Sequence, residues 1–409
     1  MPPSRHGLAQ VALFLALMAN AAGQSFLVVV LPPLGRRLGF TDIQTGAILS
    51  ASALLLMIAA PTWGYLTERI GRRPVLMIAL TGATLAPLGF GFIVGRRLDG
   101  TMSAVLALGL FLAARSAQTL LSAGLLPASQ AYVADITAPE ARAGGMGILG
   151  AAYGLGAIIG SALAWRIGGS DAVLAFLLVS GLAGLALATV ILLVPEPRRG
   201  NPEAASLAAD PNLSRIWPFF AITLVSISAY SIVQQVVALR LQDAMGFASD
   251  DSIAKAGLAL MATALAMIVV QGAVLRMLAL RPETLLGAGT PLAAVALLLA
   301  TFARGYAELF GALVLLGVAL GLMLPGNLAS LSLRTGPGAQ GKAAGFNVVG
   351  QGLGLAIGPL TGAALHQLSP QMPFLAATVL LAIAFALAIA ASRTRGVPSA
   401  GEVVRRTGI

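Results

Sequence analysis

Long apolar stretches alternate with short polar ones from one end of the chain to the other. A helix needs roughly 20 apolar residues to cross the hydrocarbon of a bilayer. Twelve runs reach about that length: 8–33, 43–63, 75–95, 101–126, 144–165, 172–194, 216–239, 253–275, 284–303, 306–331, 344–365 and 372–392. None shows the alternating polarity of a barrel strand, and an open sheet cannot cross lipid with its edge groups unpaired, so each run predicts a helix. The first is too long for a signal-peptide core and has no convincing cleavage site after it, which predicts that it is retained. The expectation is an all-α membrane protein with twelve transmembrane helices.

Composition agrees with that pattern. Of 409 residues, 58% are hydrophobic and only 10% are charged, with a mean hydropathy of +0.90. A soluble domain carries about 25% charged residues to cover its surface, so this surface is predicted to face mostly lipid. The 48 glycines and 22 prolines are tolerated in membrane helices, where small residues let backbones approach and neighbours re-satisfy freed groups. There is no cysteine, hence no disulfide or thiolate metal site. The histidines are His6 and His366, and the 12 methionines form no ligand-like pairs, so no metal or cofactor is expected.

The net charge of +10 reflects loop arginines rather than a nucleic-acid surface. With both termini inside, basic residues favour the cytoplasmic side by two to one, with Arg69, Arg72, Arg73, Arg142, Arg198 and Arg199 among them. That bias predicts a multi-pass protein of the bacterial inner membrane with both ends cytoplasmic.

The longest polar interruption, residues 195–214, reads PEPRRGNPEAASLAADPNLS and has the composition of a flexible linker. It divides a six-helix bundle at 1–194 from a second at 215–409, which ends in a short basic tail. The halves repeat one another. Gly64, Arg73 and Pro74 match Gly272, Arg281 and Pro282, and Gly154, Gly156 and Gly160 match Gly352, Gly354 and Gly358.

From Gly64 the chain reads Gly-Tyr-Leu-Thr-Glu68-Arg69-Ile-Gly71-Arg72-Arg73-Pro. Ordered glycines and an acid among the arginines exceed what a topology signal requires. The segment resembles the loop 2–3 signature of the major facilitator superfamily. A second run, from Leu112, is similar to the fourth-helix signature of the twelve-helix drug:proton antiporters. Arg115 and Gln118 stand in place, Thr119 replaces the signature's glycine, and Asp135 and Arg142 match its end. The fifth-helix antiporter signature is only partly met: Gly156 and Gly160 are present, but Ser161 stands where proline is expected. The resemblance implies the major facilitator fold, two six-helix pseudo-repeats around a central cavity. It also implies a gate in which Gly64, Glu68, Arg69, Gly71, Arg72, Arg73, Asp135 and Arg142 lock the halves in one state.

The same resemblance places spans one, four, seven and ten around the cavity, with two, five, eight and eleven beside them. The candidate substrate or coupling residues there are Asn20, Gln24, Arg115, Gln118, Tyr153, Tyr230, Gln234, Gln235, Asn327, Asn347 and Gln351. No Asp or Glu lies deep in any span, and Arg115 is the one deep charge. A charge at a helix centre costs at least about 2.5–3.5 kcal/mol and persists where it is used or paired. Paired acids, histidines and nucleophile networks are missing at that depth, which argues against an enzyme. The expected function is proton-linked export of a small organic compound, a drug or an endogenous metabolite such as a siderophore, by a monomer in contact with lipid. The alternative is an importer or facilitator of an anionic or neutral small nutrient or vitamin.

Overall fold

The computed structural model describes residues 5–137, 142–196, 213–278, 280–335 and 340–393. Within them, twelve helices are long and apolar enough to cross a membrane. They are α1 (Gly7–Leu38), α2 (Asp42–Ile70), α3 (Arg72–Leu98), α4 (Ala104–Ile136), α5 (Gly144–Gly168) and α6 (Ala172–Leu193), then α7 (Arg215–Asp243), α8 (Ser249–Ala273), α9 (Pro282–Phe302), α10 (Tyr306–Leu333), α11 (Ala343–Leu368) and α12 (Met372–Ser392). The described residues contain no strand. Most of the expected linker, and the tail after residue 393, lie outside them.

Helix ends depart from the hydropathy boundaries where local chemistry, not apolarity, sets them. α1 runs through Pro32 and Pro33 to Leu38 and stops where Gly39 takes φ +84°, a conformation that a Cβ disfavours. Thr41 and Gln44 then open α2 with a reciprocal capping box. α4 extends ten residues past the apolar run, to Ile136, after a break between Ser122 and Leu125.

The repeated glycines bring backbones into contact. A Cβ on Gly156 or Gly160 would fall within 3.0 Å of α1 backbone atoms. One on Gly354 or Gly358 would do the same against α7. The pairs α1–α5 and α7–α11 are thus equivalent close packings in the two halves, of the kind small residues permit between membrane helices.

Short loops make successive helices antiparallel, so α1 begins and α12 ends on one face of the bundle, here the terminal face. The halves meet along α2–α11, α5–α8 and α1–α7. Near the opposite face this junction is tight. The Leu360 N–H, next to Pro359 inside α11, donates to Ser50 Oγ at 3.0 Å, and Gln235 Nε2 donates to Thr45 Oγ1 at 3.3 Å. A Cβ on Gly46 would strike the Pro359 carbonyl.

Candidate functional site

Two adjoining hollows occupy the junction between the halves. The larger, about 750 Å³, is lined by Gln24, Ser25, Tyr153, Tyr230, Gln234 and Gln271 among apolar side chains. Its wall continues along Gly147 and Gly150 of α5 and Gly272 of α8, where an added Cβ would meet nothing within 4 Å. Those glycines belong to the halves of α5 and α8 nearest the terminal face, so the hollow extends toward that face. Gln271 and Gly272 sit in a π-helical turn, Val270–Val274, an irregularity that membrane helices tolerate where the backbone lines a cavity.

The smaller hollow, about 90 Å³, lies against α2 and α4. Arg115 lines it together with Ser52, Thr119, Ser122 and Gln235, and it shares Gln24, Gln234 and Leu355 with its neighbour. Arg115 is 8% exposed. Its Nε donates to Ser52 Oγ at 3.2 Å and its Nη1 to Gln118 Oε1 at 2.7 Å. Among the described residues no carboxylate forms an ion pair with it.

The other sequence-derived candidates divide. Gln24, Tyr153, Tyr230, Gln234 and Gln235 line a hollow, whereas Asn20 is buried and lines neither. Asn327 and Asn347 line neither. Asn327 Nδ2 donates to the Phe219 carbonyl and to Thr223 Oγ1, whose hydroxyl donates to Asn347 Oδ1, so this chain ties α7 to α10 and α11. Gln351 is exposed and lines neither hollow.

The α2–α3 loop is held inside the first half. Arg72 Nε donates to Asp135 Oδ2 at 3.0 Å and Nη1 to the Thr67 carbonyl. Arg73 reaches the Ile191 carbonyl, and Arg69 lies over the Tyr65 ring. Glu68 is exposed and forms no ion pair among the described residues. An added Cβ at Gly64 would meet open space, and the Arg142 side chain lies outside the described residues. Sequence reasoning missed the centre of this loop, Glu196. Its carboxylate accepts from the Arg72 and Arg73 N–H groups at 2.7 and 2.8 Å, closing the α3 N-terminus. An acid just after α6 was the only sequence signal, and which helix it caps is a tertiary fact.

Charges cross between the halves on the opposite face. Arg36 pairs with Asp42 and with Asp243, both at 2.7 Å, and its Nη1 donates to Gln242. His366 Nε2 lies 2.8 Å from Asp243 Oδ2, and Arg37 pairs with Asp250 at 2.6 Å. Arg240, one residue past the apolar run 216–239, is 1% exposed; it donates to the Thr301 and Ala303 carbonyls and stacks on Phe374.

Comparison with known proteins places this architecture. The family model described as Major Facilitator Superfamily matches residues 13–284 and 251–406. Multidrug resistance protein 1 of Bacillus subtilis (strain 168) is 26% identical over 92% of this chain and 94% of its own length. Tetracycline resistance protein, class C, of Escherichia coli is 28% identical over 53% of each chain. Among solved structures, a bacterial homologue of the human lysosomal transporter Spinster, in an inward-facing and unoccupied conformation, superposes with a TM-score of 0.77 at 16% identity. That alignment covers 98% of this chain and 100% of the other.

Proposed function

Because this chain belongs to the Major Facilitator Superfamily, we propose that it exports a small organic compound across the bacterial inner membrane by proton-linked alternating access. The protein is a multi-pass membrane transporter, not an enzyme. One structural observation supports the alternating-access part of this reading. The hollow at the junction of the halves extends toward the terminal face, while hydrogen bonds and ion pairs between the halves seal the opposite face.

On this reading the terminal face, favoured by basic residues, is cytoplasmic, and the conformation is the one that receives cargo from inside. The halves 1–194 and 215–409, joined by 195–214, rock about the junction. Gln24, Tyr153, Tyr230, Gln234 and Arg115 meet the cargo, with Gln118 holding the arginine, in a protein acting as a monomer. Export is supported by the multidrug and tetracycline resistance proteins among its relatives. The test is inside-out vesicles carrying a proton gradient. Adding a transported compound from the cytoplasmic side should collapse the gradient measurably, and transport that leaves the gradient untouched would exclude proton coupling.

A second reading, import or facilitated entry of an anionic or neutral nutrient, is favoured by a different observation. Among the described residues neither hollow is lined by a carboxylate, so none of these residues supplies an acid there to pair with a cationic drug. Uptake into right-side-out vesicles without proton movement would select it.

A further inference from the structure

We propose that the smaller hollow is a receptor for one anionic oxygen group, so that the transported molecules are organic anions, a carboxylate head on an apolar body. This inference rests on the hollows being the transport site and deepens it to a substrate class.

Three observations converge on the head group. Arg115 is buried in the wall of the hollow with no ion-pair partner among the described residues, and a desolvated cation in a low-dielectric site strongly favours a negative partner. Two of its five donors are spent on Ser52 and Gln118. Those bonds orient the planar fork, whose geometry suits a carboxylate. Gln235, 1% exposed, lines the same hollow and uses one end of its amide on Thr45, while its Oε1 has no partner among the described residues. A buried amide end left unpaired costs about 1–3 kcal/mol, and a hydrogen-bond donor borne beside the carboxylate would satisfy it.

Shape assigns the rest of the molecule. The smaller hollow, at about 90 Å³, accommodates a carboxylate but not an aromatic body. It adjoins the 750 Å³ hollow, with which it shares Gln24, Val28, Gln234 and Leu355, and the wall of that larger hollow is largely apolar, with Ile158, Met267 and Ile268 among its residues. A cationic drug would bring its charge against Arg115, with no acid among the described lining residues to offset it.

The natural absence of cysteine permits a test on the full chain in lipid nanodiscs with two probes of the same shape, 2-naphthoate and 2-naphthamide. Thermal unfolding reads binding, and maleimide labelling of a Gly150→Cys variant reads occupancy of the larger hollow regardless of charge. The expected result is that naphthoate raises the melting temperature and slows labelling at least tenfold more effectively than naphthamide. Arg115→Gln should abolish that preference, Arg115→Lys should retain part of it, and Gln235→Leu should weaken a 3-hydroxy-2-naphthoate probe more than naphthoate itself. If arginine merely holds helices together, Arg115→Gln will lower the melting temperature while the preference for naphthoate survives, which overturns the proposal. Equal protection of Gly150→Cys by both probes overturns the anion receptor and leaves the hollow as the transport site. Protection by neither removes both.

Discussion

Arg36, at the end of α1, and Asp243, at the end of α7, lie 2.7 Å apart, and through them two halves of the chain are clasped at the face opposite the termini. The guanidinium is held from its own half by Asp42, and the carboxylate from its own half by His366. Each partner therefore arrives already oriented, which lowers the side-chain entropy lost when the clasp closes.

The clasp is expected to bias the closed state modestly. Its members are about one-third exposed, and exposed pairs contribute about 0.2–1 kcal/mol. Asp243→Asn should shift the population toward opening of this face several-fold, without unfolding. Spin labels on Ser170→Cys and Asp251→Cys, on either side of the junction, would report the change as a longer-distance component. An unaltered distance distribution would mean that the remaining contacts, among them the Arg37–Asp250 pair and the packing of Gly46 against Pro359, keep this face shut.

At the other face, Glu196 and Gly71 form a coupled pair. Gly71 has φ 102° and ψ 164°, a region essentially restricted to glycine, and an added Cβ would lie 2.9 Å from the Glu196 carboxyl carbon. Glu196→Ala removes a helix cap and should cost about 0.5–2 kcal/mol. Gly71→Ala adds backbone strain of about 1–3 kcal/mol and also displaces the carboxylate. The double variant should therefore be less destabilised than the sum of the two. Thermal melts of all three proteins in one detergent check this; strict additivity would show that the contact is incidental.

The acids of the α2–α3 loop region are not equivalent. Asp135 holds Arg72 at 3.0 Å, whereas Glu68 is exposed and outside any ion pair among the described residues. Asp135→Asn is expected to slow transport several-fold in vesicles, through a coupling of about 1–3 kcal/mol, while Glu68→Gln stays near the parental rate. Equal loss in both would indicate that Glu68 acts in a conformation other than this one.

Amides that join helices should be separable from amides that face cargo. Asn327→Ala breaks the Phe219–Thr223–Asn347 chain, and interhelical hydrogen bonds in membranes contribute about 0.6–1.7 kcal/mol. Its melting temperature should fall with KM unchanged. Gln234→Ala, in the wall of both hollows, should do the reverse and raise KM. Melting curves and transport kinetics on the two variants distinguish the roles.

Twelve helices, their family and the paired glycines of α5 and α11 were legible in the sequence because each depends on local, short-period information. Apolar runs long enough to cross lipid can be little else, and the repeated glycine spacing marks a close helix contact wherever it falls. Arg115 was legible too, since a lone charge within an apolar run is conspicuous in one dimension. The roles of the amides were not: Asn327 and Gln234 read alike in sequence, and only the neighbours supplied by other helices make one a tie between helices and the other part of a cavity wall. Glu196 was hidden because a carboxylate after α6 gains its meaning from the N–H groups at the start of α3. The clasp was hidden for the same reason, since Arg36 and Asp243 belong to different halves and read as two ordinary loop charges. Hydrophobicity and helix geometry act along the chain and are written into it; ion pairs, caps and cavities act across space, and the packing of the halves decides which polar residues they recruit.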